Sequence, residues 1–231
     1  MLWGLRPVEP KAAHWLAVDS LRRQIHSGLL LPAERLPAER QLSDSFGISR
    51  VTLREALRVL ETGQYISIRR GAQGGAFVTD ERQLGRLARR RIARAPAATM
   101  RVVEFLEVNQ TAAARLAAVR RSAADLKRLQ AAVELMRRAT TAPEHKQAEA
   151  MFLLALGNAS QNALLAKAIE DGLAELFLPF ERPPADSPAP MIFESLLQAL
   201  ASSDVTASES AAGDLHALLW ETVRKTSKNA A

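Results

Sequence analysis

The chain has no cysteine, one tyrosine, four histidines and only 5% aromatic residues in 231. Without cysteine there is no disulfide framework and no thiolate-held metal. No apolar run approaches the ~18 residues of a membrane-crossing helix. The opening MLWGLRPVEPKAAHWLAV is broken by prolines and charges, so it lacks the apolar core of a secretory signal. A cytoplasmic location with no membrane contact is expected. His14, His26, His145 and His216 fall in separate segments and in no catalytic motif. GAQGG is glycine-rich, but it has neither the lysine nor the following helix of a phosphate-binding loop. No nucleophile–base constellation stands out, and the expectation is a protein that is not an enzyme.

Charge is present but unevenly placed. Residues 1–80 carry 11 Lys/Arg against 8 Asp/Glu, residues 81–100 carry 6 against 1, and residues 101–231 carry 14 against 16. The whole net charge of +6 therefore sits in the first hundred residues. That is the distribution expected when only this part of the chain meets a polyanion.

Local patterns divide the chain further. Leu16, Val18, Leu21 and Ile25 are spaced as on one helix face within 11–27, and Gly28 can stop that helix. A proline-marked loop leads to a short helix at 38–46. Ser49 then offers a hydroxyl to the free amides of a new helix. Val51, Leu53, Ala56, Leu57 and Leu60 supply the buried stripe of that helix, and Gly63 follows it. Residues 65–70 alternate as a strand, and Gly71–Gly75 turns the chain into a second strand at 76–79. Helix, short helix, turn, helix and hairpin make a winged helix-turn-helix. The second helix of such a unit can enter a major groove while the hairpin rests on the backbone. Arg50, Thr52, Arg54 and Arg58 lie off its apolar stripe, and Arg69 and Arg70 stand in the wing. Some of these arginines could instead pair with Glu55 and Glu61 on the same helix.

The stretch LPAERQLSDSFGISRVTLREALRVLETGQYISIRRG, with GGAFV after it, resembles the DNA-binding domain of the GntR family of bacterial transcription regulators. The resemblance implies double-stranded operator DNA as partner. It implies contacts from Arg40, from Ser49, Arg50, Thr52 and Arg54 on the recognition helix, and from Arg70 and Gly71 in the wing. Val51 stands where many members carry threonine, so the preferred half-site is expected to differ.

Residues 82–94, RQLGRLARRRIAR, read as a basic helical linker with a narrow seam of Leu84, Leu87 and Ile92. Two roles fit it: extra phosphate contacts, or a solvated spacer. From Arg101 on, six segments have helical patterns, near 101–121, 122–140, 144–156, 162–178, 188–202 and 205–226, with no strand pattern for an α/β enzyme. The expected fold is mainly α. A winged helix-turn-helix over 1–80 and a basic linker over 81–100 precede an all-α antiparallel bundle over 101–231.

The second half is similar to the C-terminal effector domain of the FadR-type branch, an FCD-like bundle with a central pocket and a dimerisation role. Many members hold a divalent metal there through one Asp and three His, with an Arg nearby for a carboxylate. By that resemblance the pocket positions fall on Glu149, Leu153, Phe193 and His216, and the arginine position on Leu106. Two of the three histidines and the arginine are thus replaced by apolar groups. One carboxylate with one imidazole is a poor site for a divalent ion, so no metal and no cofactor are expected. An apolar pocket takes a small hydrophobic, acyl-chain-like effector, or is a filled core with no ligand. The functional expectation is a homodimeric, sequence-specific DNA-binding regulator with such an effector, its sign of regulation open. Two rivals remain: an architectural DNA binder without a ligand, and an all-α enzyme with an autoregulatory DNA-binding domain.

Overall fold

A computed structural model describes residues 13–71, 74–181 and 187–230. Helix α1 (Ala13–Ser27) turns Ala17, Val18, Leu21 and Ile25 inward and ends at Gly28 with φ 84°. Helix α2 (Glu39–Phe46) ends at Gly47, also left-handed. Ser49 then caps α3 (Arg50–Thr62), its hydroxyl accepting the Thr52 amide at 3.1 Å. Such a cap contributes about 1 kcal/mol. Leu53, Ala56, Leu57 and Leu60 form the buried stripe of α3, but Val51, expected with them, points to solvent. Strands β1 (Ile66–Arg69) and β2 (Gly75–Val78) pair antiparallel from Ile66↔Val78 to Arg69↔Gly75. The hairpin is anchored on its far side by the 34–36 loop, where Leu36 donates to Ala76 O and Val78 donates to Glu34 O.

The apolar cluster built on α1, α3 and the hairpin continues past residue 80. It takes in Leu84 and Ala88 of α4 (Glu81–Arg94), and Ala142, Phe177 and Phe180 from much later in the chain. Helix α4 is therefore packed against the protein rather than a solvated spacer. Its buried seam is Leu84, Gly85, Ala88 and Ile92, with Leu87 only half-buried. Arg89 and Arg91 of this helix pair with Glu181 and Glu175 at 2.9 and 2.6 Å.

Six helices follow: α5 (Pro96–Arg120), α6 (Ala123–Arg138), α7 (Ala142–Ala159), α8 (Ala163–Glu175), α9 (Ala189–Ala201) and α10 (Val205–Ala230). Pro96 ends one helix and opens the next, because the first residue of a helix needs no amide hydrogen. Capping boxes Ser122–Asp125 and Thr141–Glu144 start α6 and α7. The Glu144 carboxyl, accepting the amides of Thr140 and Thr141, is held down to about 2. The bundle core gathers Leu129, Phe152, Leu156, Ile169, Phe193, Leu196 and Leu200 around the alanines of α5. A smaller cluster of Val103, Leu106, Leu176 and Val223 closes the end nearest α4. Between α8 and α9, residues 176–181 leave helical geometry earlier than the sequence pattern suggests and run as a strap along the bundle.

Candidate nucleic-acid interface and interior cavity

With its apolar stripe buried, α3 presents Arg50, Val51, Arg54, Glu55 and Arg58 to solvent. The alternative pairing of these arginines with Glu55 and Glu61 within α3 does not form. Arg54 reaches instead to Glu39 of α2, Nε to Oε2 at 2.9 Å, and Glu61 accepts the amide of Ile68. Among the described residues no carboxylate lies within ion-pair distance of Arg50, Arg58 or Arg70. Arg40 lies 3.9 Å from Asp44 one turn on and is otherwise open. Ser49 and Thr52 share a hydroxyl–hydroxyl hydrogen bond of 2.8 Å, so their side chains serve the cap before they can serve a ligand.

The wing has a built platform. Arg69 lies over the Phe77 ring at 4.3 Å, with Arg35 over it at 5.9 Å. Arg35 donates to Gly74 O at 2.6 Å. Arg70 and Gly71 are exposed, and Gly71 has φ 103°, a conformation open to glycine at little cost. Residues 72 and 73, at the turn, lie outside the described residues.

In the bundle a cavity of about 540 Å³ opens between α5, α7, α10 and the strap. Leu153 and Phe193 line it, as does Glu149. Leu106 and His216 do not, which corrects their placement in the pocket. Leu106 is wholly buried against the backbone of Gly172, where a Cβ would come within 2.5 Å of its Cδ2. The pocket residue of that helix is Gln110, one turn further on, whose Nε2 has no partner among the described residues. His216 is 1% exposed, both ring nitrogens are unpartnered among the described residues, and burial lowers its pKa. The positions marked by the resemblance do not hold a divalent ion: Glu149 faces the cavity, His216 is elsewhere, and Leu153 and Phe193 carry no donor atom. Among the described residues no three His, Asp or Glu side chains gather as metal ligands.

The cavity is not wholly apolar, as the sequence had suggested. Lys146 and Glu149 stand in its wall, one turn apart on α7. Burial brings the Lys146 ammonium down to about 7 and the Glu149 carboxyl up to about 7. Lys146 was not singled out in the sequence; a lysine three residues before a glutamate reads as an ordinary solvated helix pair.

Comparison with known proteins agrees with these two parts. Residues 17–78 match the family described as bacterial regulatory proteins, gntR family, and residues 99–217 match the FCD domain. The transcriptional regulator RmpR of Mycobacterium gastri is 31% identical over 173 residues, 71% of this chain and 62% of its own. The Exu regulon transcriptional regulator of Escherichia coli is 25% identical over 162 residues, 70% of this chain and 62% of its own. The matched stretch thus spans about three-fifths of these curated relatives. Escherichia coli McbR/YncC shares the fold, with a TM-score of 0.55 at 21% identity over 93% of this chain and 98% of that one. The matched family and these relatives are transcription regulators, not enzymes. Among the described residues no helix is long and apolar enough to cross a membrane.

Proposed function

This chain belongs to the gntR family of bacterial regulatory proteins, with an FCD domain behind its winged helix, and on that premise we propose that it binds operator DNA through α3 and the wing. The observation that carries the reading is the front of α3. Arg50 and Arg58 are exposed without a carboxylate partner among the described residues, on a helix whose opposite face is fully buried. Such a helix can lie in a major groove, where an arginine reads guanine O6 and N7 in bidentate fashion. Arg50 and Arg54 supply that contact. Arg40, Ser49, Thr52, Arg70 and Gly71 supply phosphate contacts that fix the register. Val51, 67% exposed between these arginines, presents methyl groups suited to a thymine methyl.

A ligand in the cavity modulates this affinity. A volume of about 540 Å³ favours an occupied pocket over a filled core. Leu153, Phe193, Leu215 and Leu219 offer burial to an apolar body. That burial is worth roughly 25 cal/mol per Å² removed from water. Lys146 and Gln110 offer donors to one polar end, and no metal takes part. The chain acts as a homodimer on a near-palindromic site, the usual arrangement for groove-reading helices of this size.

The test is titration of a duplex selected from a randomised pool, at several salt concentrations. Arg50→Ala and Arg54→Ala should each weaken the selected duplex by about 1–3 kcal/mol, with little loss on random DNA. Unchanged specific affinity in both variants would remove α3 from the interface.

A further inference from the structure

We infer that Phe177 and Lys146 are positioning residues which carry the state of the cavity to the winged helix through the strap at 176–181. This rests on the reading of the cavity as a ligand site.

The strap has two faces. On one side Leu178, Pro179 and Glu181 line the cavity, together with Lys146 of α7. On the other side Phe177 and Phe180 are buried in the apolar cluster of α1, α3 and the wing. The Phe177 ring stacks on His26 of α1, centroids 4.1 Å apart and planes 10° apart. His26 in turn donates from Nδ1 to Ala174 O at the end of α8 (2.9 Å) and meets the Tyr65 hydroxyl through Nε2 (3.1 Å). Tyr65 directly precedes β1, so the stack ends at the base of the wing.

Lys146 joins both faces. It donates to Leu178 O at 2.7 Å and lies over the Phe180 and Phe177 rings at 4.5 and 5.6 Å. Its stem presses on Gly28 at the end of α1, where a Cβ would lie 2.9 Å from its Cγ. A body that fills the cavity therefore bears on Leu178, Pro179 and Lys146 together. Displacing them shifts the strap on its cavity side while the Phe177–His26 stack still ties it to α1. Close-packed rings of this kind shift between discrete arrangements rather than yielding gradually. Ion pairs Arg89–Glu181, Arg91–Glu175 and Arg23–Asp171 fasten the same junction at the surface.

The test uses the full chain without DNA, with Leu153→Trp filling the cavity in place of a ligand, and Leu219→Trp doing so from α10. Displacement of the dye 1-anilinonaphthalene-8-sulfonate reports the cavity, and amide hydrogen exchange over residues 66–78 reports the wing. With the strap intact, each filling variant should exclude the dye and alter wing exchange at least threefold. Phe177→Leu or Lys146→Met should abolish the wing response while the dye is still excluded, and Phe177→Tyr should restore it. A merely structural Phe177 would lower protection everywhere but leave the response to cavity filling in place, and that result overturns the inference. Dye excluded with wing exchange unchanged in an intact strap also overturns it. Failure of the dye to enter the unfilled protein, or to be excluded by either filling variant, removes the cavity reading and the inference with it.

Discussion

Acidification should loosen the junction between the two halves through one buried side chain, His26. It is 2% exposed, and its Nδ1 is committed as a donor to a backbone carbonyl, which leaves Nε2 to accept from the Tyr65 hydroxyl. A proton on Nε2 would remove that acceptor, and Arg91, Arg22 and Lys146 add to the penalty of burial. Burial is the largest cause, and together these bring the pKa from 6.5 down to about 3. Between those values the unfolded chain binds a proton that the native chain refuses. The stabilisation is therefore complete above about 6.5 and is lost progressively as pH falls toward about 3. Going from pH 7 to pH 5 should remove about 2 kcal/mol on this account alone. Urea unfolding at both pH values, for the native sequence and for His26→Gln, isolates the effect, because other titrating groups are common to both. The native chain should lose about 2 kcal/mol more than the variant over this interval. Parallel losses, or a His26 ring that titrates near 6.5 by NMR, would refute the argument.

Other consequences are direct. Glu39→Gln removes the partner of Arg54, a pair whose exposure limits it to about 0.5 kcal/mol, so operator affinity in a duplex titration should rise about two- to threefold. Leu106→Ala empties a fully buried site against Gly172 and should cost about 2–5 kcal/mol by denaturant unfolding, with no change in dye binding to the cavity it does not line. Arg89→Ala should leave the salt dependence of DNA binding unaltered, since its guanidinium is turned to Glu181, whereas the exposed Arg90 should lower the slope by about one if α4 touches phosphate.

The winged helix was legible because its signals are local. The Leu53–Leu57–Leu60 stripe, the Ser49 cap and the Gly47 and Gly71 turns each follow from neighbouring residues, and element ends came within a few positions. The bundle helices were legible for the same reason. What the sequence concealed depends on contacts between distant segments. Leu106 sits among apolar residues in any helical reading, and only the absence of a side chain at Gly172 settles where it packs. The arginines of α4 look free until Glu175 and Glu181, more than eighty residues away, are brought beside two of them. Nothing in the neighbouring sequence of His26 or Lys146 marks either of them. Their roles arise from the strap, which a pattern of apolar spacing extends into α8. The donors in the cavity wall were not legible, because Gln110 and Lys146 stand one turn away from the positions that the resemblance marks.

The most direct test of the central claim is a crystal structure of the full chain on its selected duplex. The account predicts α3 in the major groove, with Arg50 and Arg54 at base edges and Val51 against a thymine methyl. Arg70 and Gly71 should lie along the adjoining backbone. A complex in which α3 faces solvent and DNA lies on another surface would contradict it.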